Sequence, residues 1–233
     1  MLKGLRESLP ALAALDDEVR RRLYFFVRHQ ARPVTRDEAA ADASISDRLA
    51  GFHLDKLVEE GLLQAHFARK PGRSGPGAGR TSKFYEISGI QIDVTIPERH
   101  YDFVAHILVA AMAATDRDES PKDAAVRIAA EKGRALGAEI RAEKGRRLGR
   151  DRALAAVADA LAELGFEPYR SKGKTISLRN CPYHALAHEA PELVCGINRS
   201  FIAGVLKGLG ASSMRSALEP TRGECCVKVI PGS

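Results

Sequence analysis

Cysteine is missing from the first 180 residues, and all four copies fall beyond that point, at Cys181, Cys195, Cys225 and Cys226. A cytosolic chain gains little from structural disulfides, so cysteines gathered in this way point first to a metal, a cluster or a redox switch. A long apolar run is also missing. The longest, 103–114, is interrupted by His106 and falls short of the roughly 20 residues that a membrane-crossing helix needs. The weakly apolar start, 1–15, runs straight into Asp16-Asp17-Glu18 with no cleavage-like segment, so a cytoplasmic protein with no membrane partner is expected. No glycine-rich phosphate cradle, oxyanion loop or orienting acid accompanies Cys181, His184 and His188, so the chain is not expected to be an enzyme. The cysteine spacing, C-x13-C-x29-C-C, contains neither the paired C-x2-C knuckles of structural zinc nor the tight ferredoxin run.

At 233 residues, 45% apolar and 28% charged, the chain has the composition of a folded protein with two modest domains. Its formal charge of +6 suggests a polyanionic partner. The expected class is α+β, in three stretches: a winged helix-turn-helix DNA-binding domain over 1–90, a helical linker or dimerisation region over 91–150, and an α+β sensor domain over 151–233.

Val19, Leu23, Phe26 and Val27 recur at helical spacing and predict a first amphipathic helix over 16–28. Thr35 with Glu38 forms a capping box that opens a short helix over 36–42. Ser46 caps a longer helix that runs to Glu60 and stops at Gly61. On that helix Ala50, Leu54, Leu57 and Val58 share one side, and Arg48, Phe52, Asp55 and Glu59 the other. This is a helix-turn-helix pattern with a half-buried recognition helix. Strands over 62–67 and 83–87 flank a glycine- and proline-rich loop, and from Arg69 to Lys83 there are five cations and no acid. Two strands joined by a basic loop directly after a recognition-type helix make a wing that lies along phosphates.

The expected DNA contacts follow from this layout. Ser46 holds a phosphate near the helix start, and Arg48 and Lys56 reach bases or backbone. Phe52 touches a thymine methyl or packs against the wing or the first helix, and His53 lies between the two faces. Arg69, Lys70, Arg73, Arg80 and Lys83 supply salt-dependent affinity. An apolar helix over 98–115, with Phe103, Ile107, Leu108 and Met112 prominent, is assigned either to a homodimer interface or to its own core. Residues 130–137 recur, with changes, as 142–149, which reads as a charged, glycine-spotted helix weakened by its glycines.

A helix over 151–164 and short strands over 166–169 and 175–178 lead to Cys181. It precedes a short helix that carries His184 in its first turn, and Cys195 lies about a turn into the following helix, 191–209. Helix N-termini lower thiol pKa values, and thiolates bind iron or zinc. Strands are expected over 213–218 and 225–230. On the second, Cys225 and Cys226 would point to opposite faces, so only one would join the site. That leaves three cysteines plus a fourth ligand, His184 first and His188 second. An iron–sulfur cluster, zinc and a dithiol switch all remain open.

Three sets of residues carry a resemblance: Leu49 to Leu62, with Phe52 and Gly61; Gly79-Arg80 with Lys83 and Tyr85; and Cys181-Pro-Tyr-His184 with Pro191-Glu-Leu-Val-Cys195 and Gly223-Glu-Cys225-Cys226. Over nearly its whole length the chain resembles the actinobacterial, ArsR-like winged-helix regulators grouped with the SufR-like repressors of iron–sulfur assembly. The resemblance implies a homodimeric repressor that binds a double-stranded DNA operator. It also implies a C-terminal 4Fe–4S or 2Fe–2S cluster held by Cys181, Cys195 and Cys225, with Cys226 the extra cysteine. Some relatives carry a cysteine where this chain has His184. Loss of the cluster is expected to change DNA affinity, and zinc is the alternative occupant.

Overall fold

The computed structural model of the chain describes residues 3–69, 81–114, 119–145, 149–171 and 174–232. They form a mixed helix-and-sheet protein with two small antiparallel sheets, consistent with an α+β class. The chain divides into two compact units, residues 2–94 and 95–233. Among the described residues no helix is long and apolar enough to cross a membrane.

In the N-terminal unit, α1 (Lys3–Ala14) and α2 (Glu18–Gln30) precede the two-residue strand β1 (Val34–Thr35), α3 (Arg36–Ala43), α4 (Asp47–Glu59), β2 (Leu63–Ala68) and β3 (Ser82–Ile87). Each central helix starts where a side chain satisfies a free backbone amide. Asp17 accepts from the Arg20 amide at 2.8 Å, which holds its carboxyl below the usual range. Thr35 and Glu38 complete a reciprocal capping box, and the Ser46 hydroxyl accepts from the Leu49 amide at 3.3 Å. Beyond α4, Gly61 takes φ +73°, the left-handed turn that sends the chain into β2. The sheet order is β1-β3-β2, with Val34 opposite Tyr85 and His66 opposite Phe84. Leu23, Val27, Leu54, Leu57, Leu63 and Tyr85 meet in the core. Helix α1 and strand β1 were not among the expected elements, and β1 is only two residues long.

The C-terminal unit runs α5 (Tyr101–Ala113), α6 (Pro121–Lys144), α7 (Arg150–Glu163), β4 (Pro168–Arg170), β5 (Ile176–Leu178), α8 (His184–Glu189), α9 (Pro191–Leu209), β6 (Met214–Leu218) and β7 (Val227–Pro231). Its sheet order is β4-β5-β7-β6. Val104 and Ile107 of α5, Ala125 and Ala129 of α6, Leu161 of α7 and Ile202 and Val205 of α9 share one core with Val227 and Val229. The stretch assigned to a linker or dimerisation region is therefore part of this unit's core and not a separate piece. Within it Phe103 stacks on Tyr183 and meets Phe201 edge-on, while Val109 and Met112 stay exposed. Residues 91–96 form no strand.

The glycine-spotted stretch behaves differently from the expectation. Gly133 and Gly137 of α6 face Gly204 and Gly208 of α9, and a Cβ at any of the four would run into backbone of the opposite helix. These glycines cost helix propensity and in exchange let two backbones touch. In the second copy Gly145 closes α6 with φ +97° and Gly149 opens α7, so the near-repeat contains one packed pair and one pair of helix ends.

Candidate thiol centre and nucleic-acid interface

The four cysteines reach one neighbourhood from three separate places in the C-terminal unit. Cys181 lies between β5 and α8, Cys195 in α9, and Cys225 and Cys226 just ahead of β7. The last two lie just ahead of the strand, and burial still alternates through them, Cys225 buried with Val227 and Val229 and Cys226 half-buried with Lys228, yet each thiol has another cysteine as neighbour, Cys181 for Cys225 and Cys195 for Cys226. Their backbone is pinned on either side: the Cys225 amide donates to Leu178 O at 2.9 Å, and Cys226 O accepts from the Glu219 amide at 2.8 Å. None of the four is in a disulfide.

The thiols are neighbours in two pairs, Cys181 with Cys225 and Cys195 with Cys226, and the members of each pair act on one another's ionisation. The hydrogen bond from Cys225 lowers the Cys181 pKa to about 7 against the opposing effect of burial, helped by the Tyr183 amide and the Arg99 charge. Cys225, as donor and 2% exposed, is held far above the ordinary thiol range by that bond and by burial. Burial, then the bond with Cys226, pushes Cys195 up to about 12. Within the Cys181–Cys225 pair, Cys181 is therefore the sulfur that ionises first, and its partner keeps the proton.

Polar groups around the sulfurs fix this arrangement. Asn198, 2% exposed and one turn beyond Cys195 on α9, donates Nδ2 to Cys225 Sγ at 3.4 Å, and its Oδ1 has no partner. Arg99 donates to Cys181 O at 3.2 Å and to Asn180 Oδ1. Asn180 in turn donates to Gly165 O and Glu98 O. Sequence reasoning missed Arg99, Asn180 and Asn198. Only Asn198 left a trace, at i+3 from Cys195 on the same helix face, because Arg99 acts across 82 residues of chain.

His184 and His188 are exposed on α8, and neither imidazole is hydrogen-bonded to a thiol among the described residues. No group of three His, Cys, Asp or Glu side chains among the described residues is arranged to hold a metal ion. The donor chemistry nonetheless suits a thiophilic metal or cluster: four sulfurs, one of them ionisable near neutrality, with an amide N–H directed at another. Occupancy would require the protons shared within the two pairs to leave.

In the N-terminal unit the structure separates the expected DNA contacts. Arg48, Phe52 and Arg69 are exposed, Phe52 at 64%. The exposed Ser46 caps α4 with its hydroxyl. His53 is 7% exposed, inside the fold and edge-on to Phe52, so it is not a surface contact. Lys56 is neutralised by Glu59 and Glu60, at 2.9 and 2.8 Å. Lys83 pairs with Asp55 at 2.6 Å, and Asp55 also accepts from the Tyr85 hydroxyl at 2.9 Å. Lys70, Arg73 and Arg80 lie outside the described residues. No protein-family model matches the chain, and no curated protein or solved structure is significantly similar to it.

Proposed function

We propose that the chain is a DNA-binding transcription regulator, acting as a homodimeric repressor, whose C-terminal unit senses iron–sulfur or redox status through its cysteines. The observation that carries this reading is the convergence of all four cysteines at one place in the C-terminal unit, backed by Arg99 and Asn198. We read the N-terminal unit as a winged helix-turn-helix, with α3 and α4 as the paired helices and the β2–β3 hairpin as the wing. The capped α4, its half-buried face and the acid-free loop between the strands support that reading. Arg48, Phe52 and Arg69 are the residues presented for contact.

In this reading Cys181, Cys195, Cys225 and Cys226 hold an iron–sulfur cluster, which when bound supplies a centre that oxidants and iron shortage can alter or remove. Cys181 offers the first thiolate, Arg99 stabilises that anion, and Asn198 keeps an N–H on the Cys225 sulfur. Any difference in DNA affinity between the occupied and empty states couples the two sites reciprocally. The second reading, a zinc or dithiol switch in the same regulator, is favoured by the pairing of neighbouring thiols, Cys181 with Cys225 and Cys195 with Cys226.

The test is visible absorption with iron, sulfide and zinc content on anaerobically purified protein, followed by selection of bound fragments from sheared genomic DNA. Brown protein containing iron and sulfide, colourless as C181A, and selecting discrete duplexes is the expected result. Colourless protein with stoichiometric zinc moves the conclusion to the second reading. Failure to retain any duplex overturns the regulator and leaves a protein-interaction module.

A further inference from the structure

The C-terminal half of α9 and strand β6 enclose a cleft of about 480 Å3 on a face of the fold not used above. Its charged lining is cationic throughout: Arg199 and Lys207 from α9 and Arg215 from β6, with no acidic residue. All three are exposed, and none forms an ion pair among the described residues. The two helix cations are eight residues apart, roughly 12 Å along the axis. Between them the floor is aliphatic, made of Ala203, Leu206 and Met214. The Ser216 hydroxyl donates to Arg199 O at 3.0 Å and ties the strand to the helix at one end.

This lining selects against several ligand classes. No aromatic ring is present to stack a nucleobase. A neutral apolar molecule would leave the cations unused, and a fully hydrophilic polyanion would leave the floor in contact with water. What matches both halves is an alkyl chain ending in an anionic head, because the head gains charge-assisted hydrogen bonds while the chain leaves water.

We propose that this cleft binds an amphiphilic organic anion of the alkyl carboxylate class, with the chain along Ala203, Leu206 and Met214 and the carboxylate taken by the guanidinium of Arg199 or Arg215. The same helix carries Cys195 on an earlier turn, so the ligand would rest on an element that also holds the thiol centre. Binding itself depends on neither the cluster nor DNA, and its failure is distinguishable from failure of the regulator.

The experiment is calorimetric titration of the full-length protein with octanoate, beside acetate and 1-octanol. Saturable binding of octanoate at one site per chain is expected, with acetate and octanol each weaker by about ten-fold or more, since either the floor or the charged hydrogen bonds go unused. The double variant R199Q/R215Q should lose about ten-fold in affinity at an unchanged melting temperature, because both side chains are exposed. A203F, which fills the floor and keeps the charges, should abolish binding. No saturation by millimolar octanoate overturns the proposal, as does equal binding of octanol. Variants that bind octanoate normally but lose duplex DNA would assign the cations to phosphate contact instead, and also overturn it.

Discussion

Replacing Gly137 by alanine sets two opposing effects against each other, and the structure decides between them. In an isolated helix alanine is preferred to glycine by roughly 1 kcal/mol, so propensity alone predicts a gain. At Gly137, however, a Cβ would sit 2.8 Å from the Leu209 nitrogen and 3.0 Å from Gly208 Cα, and nearer still to the Val205 oxygen. Every one of these atoms is backbone, so no rotamer change relieves the clash. The α6 and α9 axes must part, and a gap of about 1 Å forfeits up to roughly half of the dispersion attraction of each facing pair. Overpacking of this kind costs about 1–3 kcal/mol, and with no flexible neighbour the upper end applies, leaving a net loss of about 2 kcal/mol.

Gly196 supplies the control. It lies in the same helix α9, and a Cβ there meets nothing within 4 Å. G196A should therefore gain up to about 1 kcal/mol from propensity. At roughly 2–4 °C per kcal/mol for a unit of this size, G137A lowers the calorimetric transition by about 4–8 °C and G196A raises it slightly. Leu54→Ala, at a fully buried site in the N-terminal core, costs about 2–5 kcal/mol and identifies the other unit's transition. A G137A protein that melts at or above the parent temperature would falsify the tight helix crossing.

Three further outcomes follow from particular contacts. In reduced, metal-free protein, Cys181 should alkylate with a midpoint at about pH 7, because the bond from Cys225 favours its anion. C225A removes that donor, so the pKa rises and the rate at pH 7 falls by roughly ten-fold; an unmoved pH profile would show that the bond is not made. Thr35→Ala breaks the capping box and should cost about 1 kcal/mol in denaturant unfolding, against no loss if Glu38 and Arg32 hold the helix start alone. If the regulator reading holds, R48A and R69A each reduce the salt slope of duplex binding by about 1, whereas K83A changes it less because Asp55 already neutralises Lys83.

The elements easiest to read in the sequence were those whose ends are set by local chemistry. Thr35 with Glu38, Ser46 with Leu49, and Gly61 fix helix boundaries through contacts within a few residues, and the capped helices lie where the capping pattern put them. Pro191 and Gly210 bound α9 for the same reason. Long-range placement was not legible. The sequence offered Lys56 and Lys83 as DNA contacts but could not show that Glu59, Glu60 and Asp55 neutralise them. Composition marked the glycines of 130–149 as helix-weakening, because their compensation lies on α9, some seventy residues away.

Opposite facing of Cys225 and Cys226 does not take either thiol away from the other cysteines, because Cys181 lies beside one and Cys195 beside the other. In the proposed regulator Cys226 therefore competes with the exposed His184 as fourth ligand. The two pairs are also unequal. Cys181 is partly exposed with its anion supported, while Cys195 and Cys225 are buried with their protons held. Of Cys181, Cys195 and Cys225, Cys181 is thus the one an electrophile reaches as a thiolate, and a metal held by all three would require proton loss from the two buried thiols. Affinity for a thiolate-bound centre must therefore rise with pH, because its ligands bind protons more tightly when empty than when occupied.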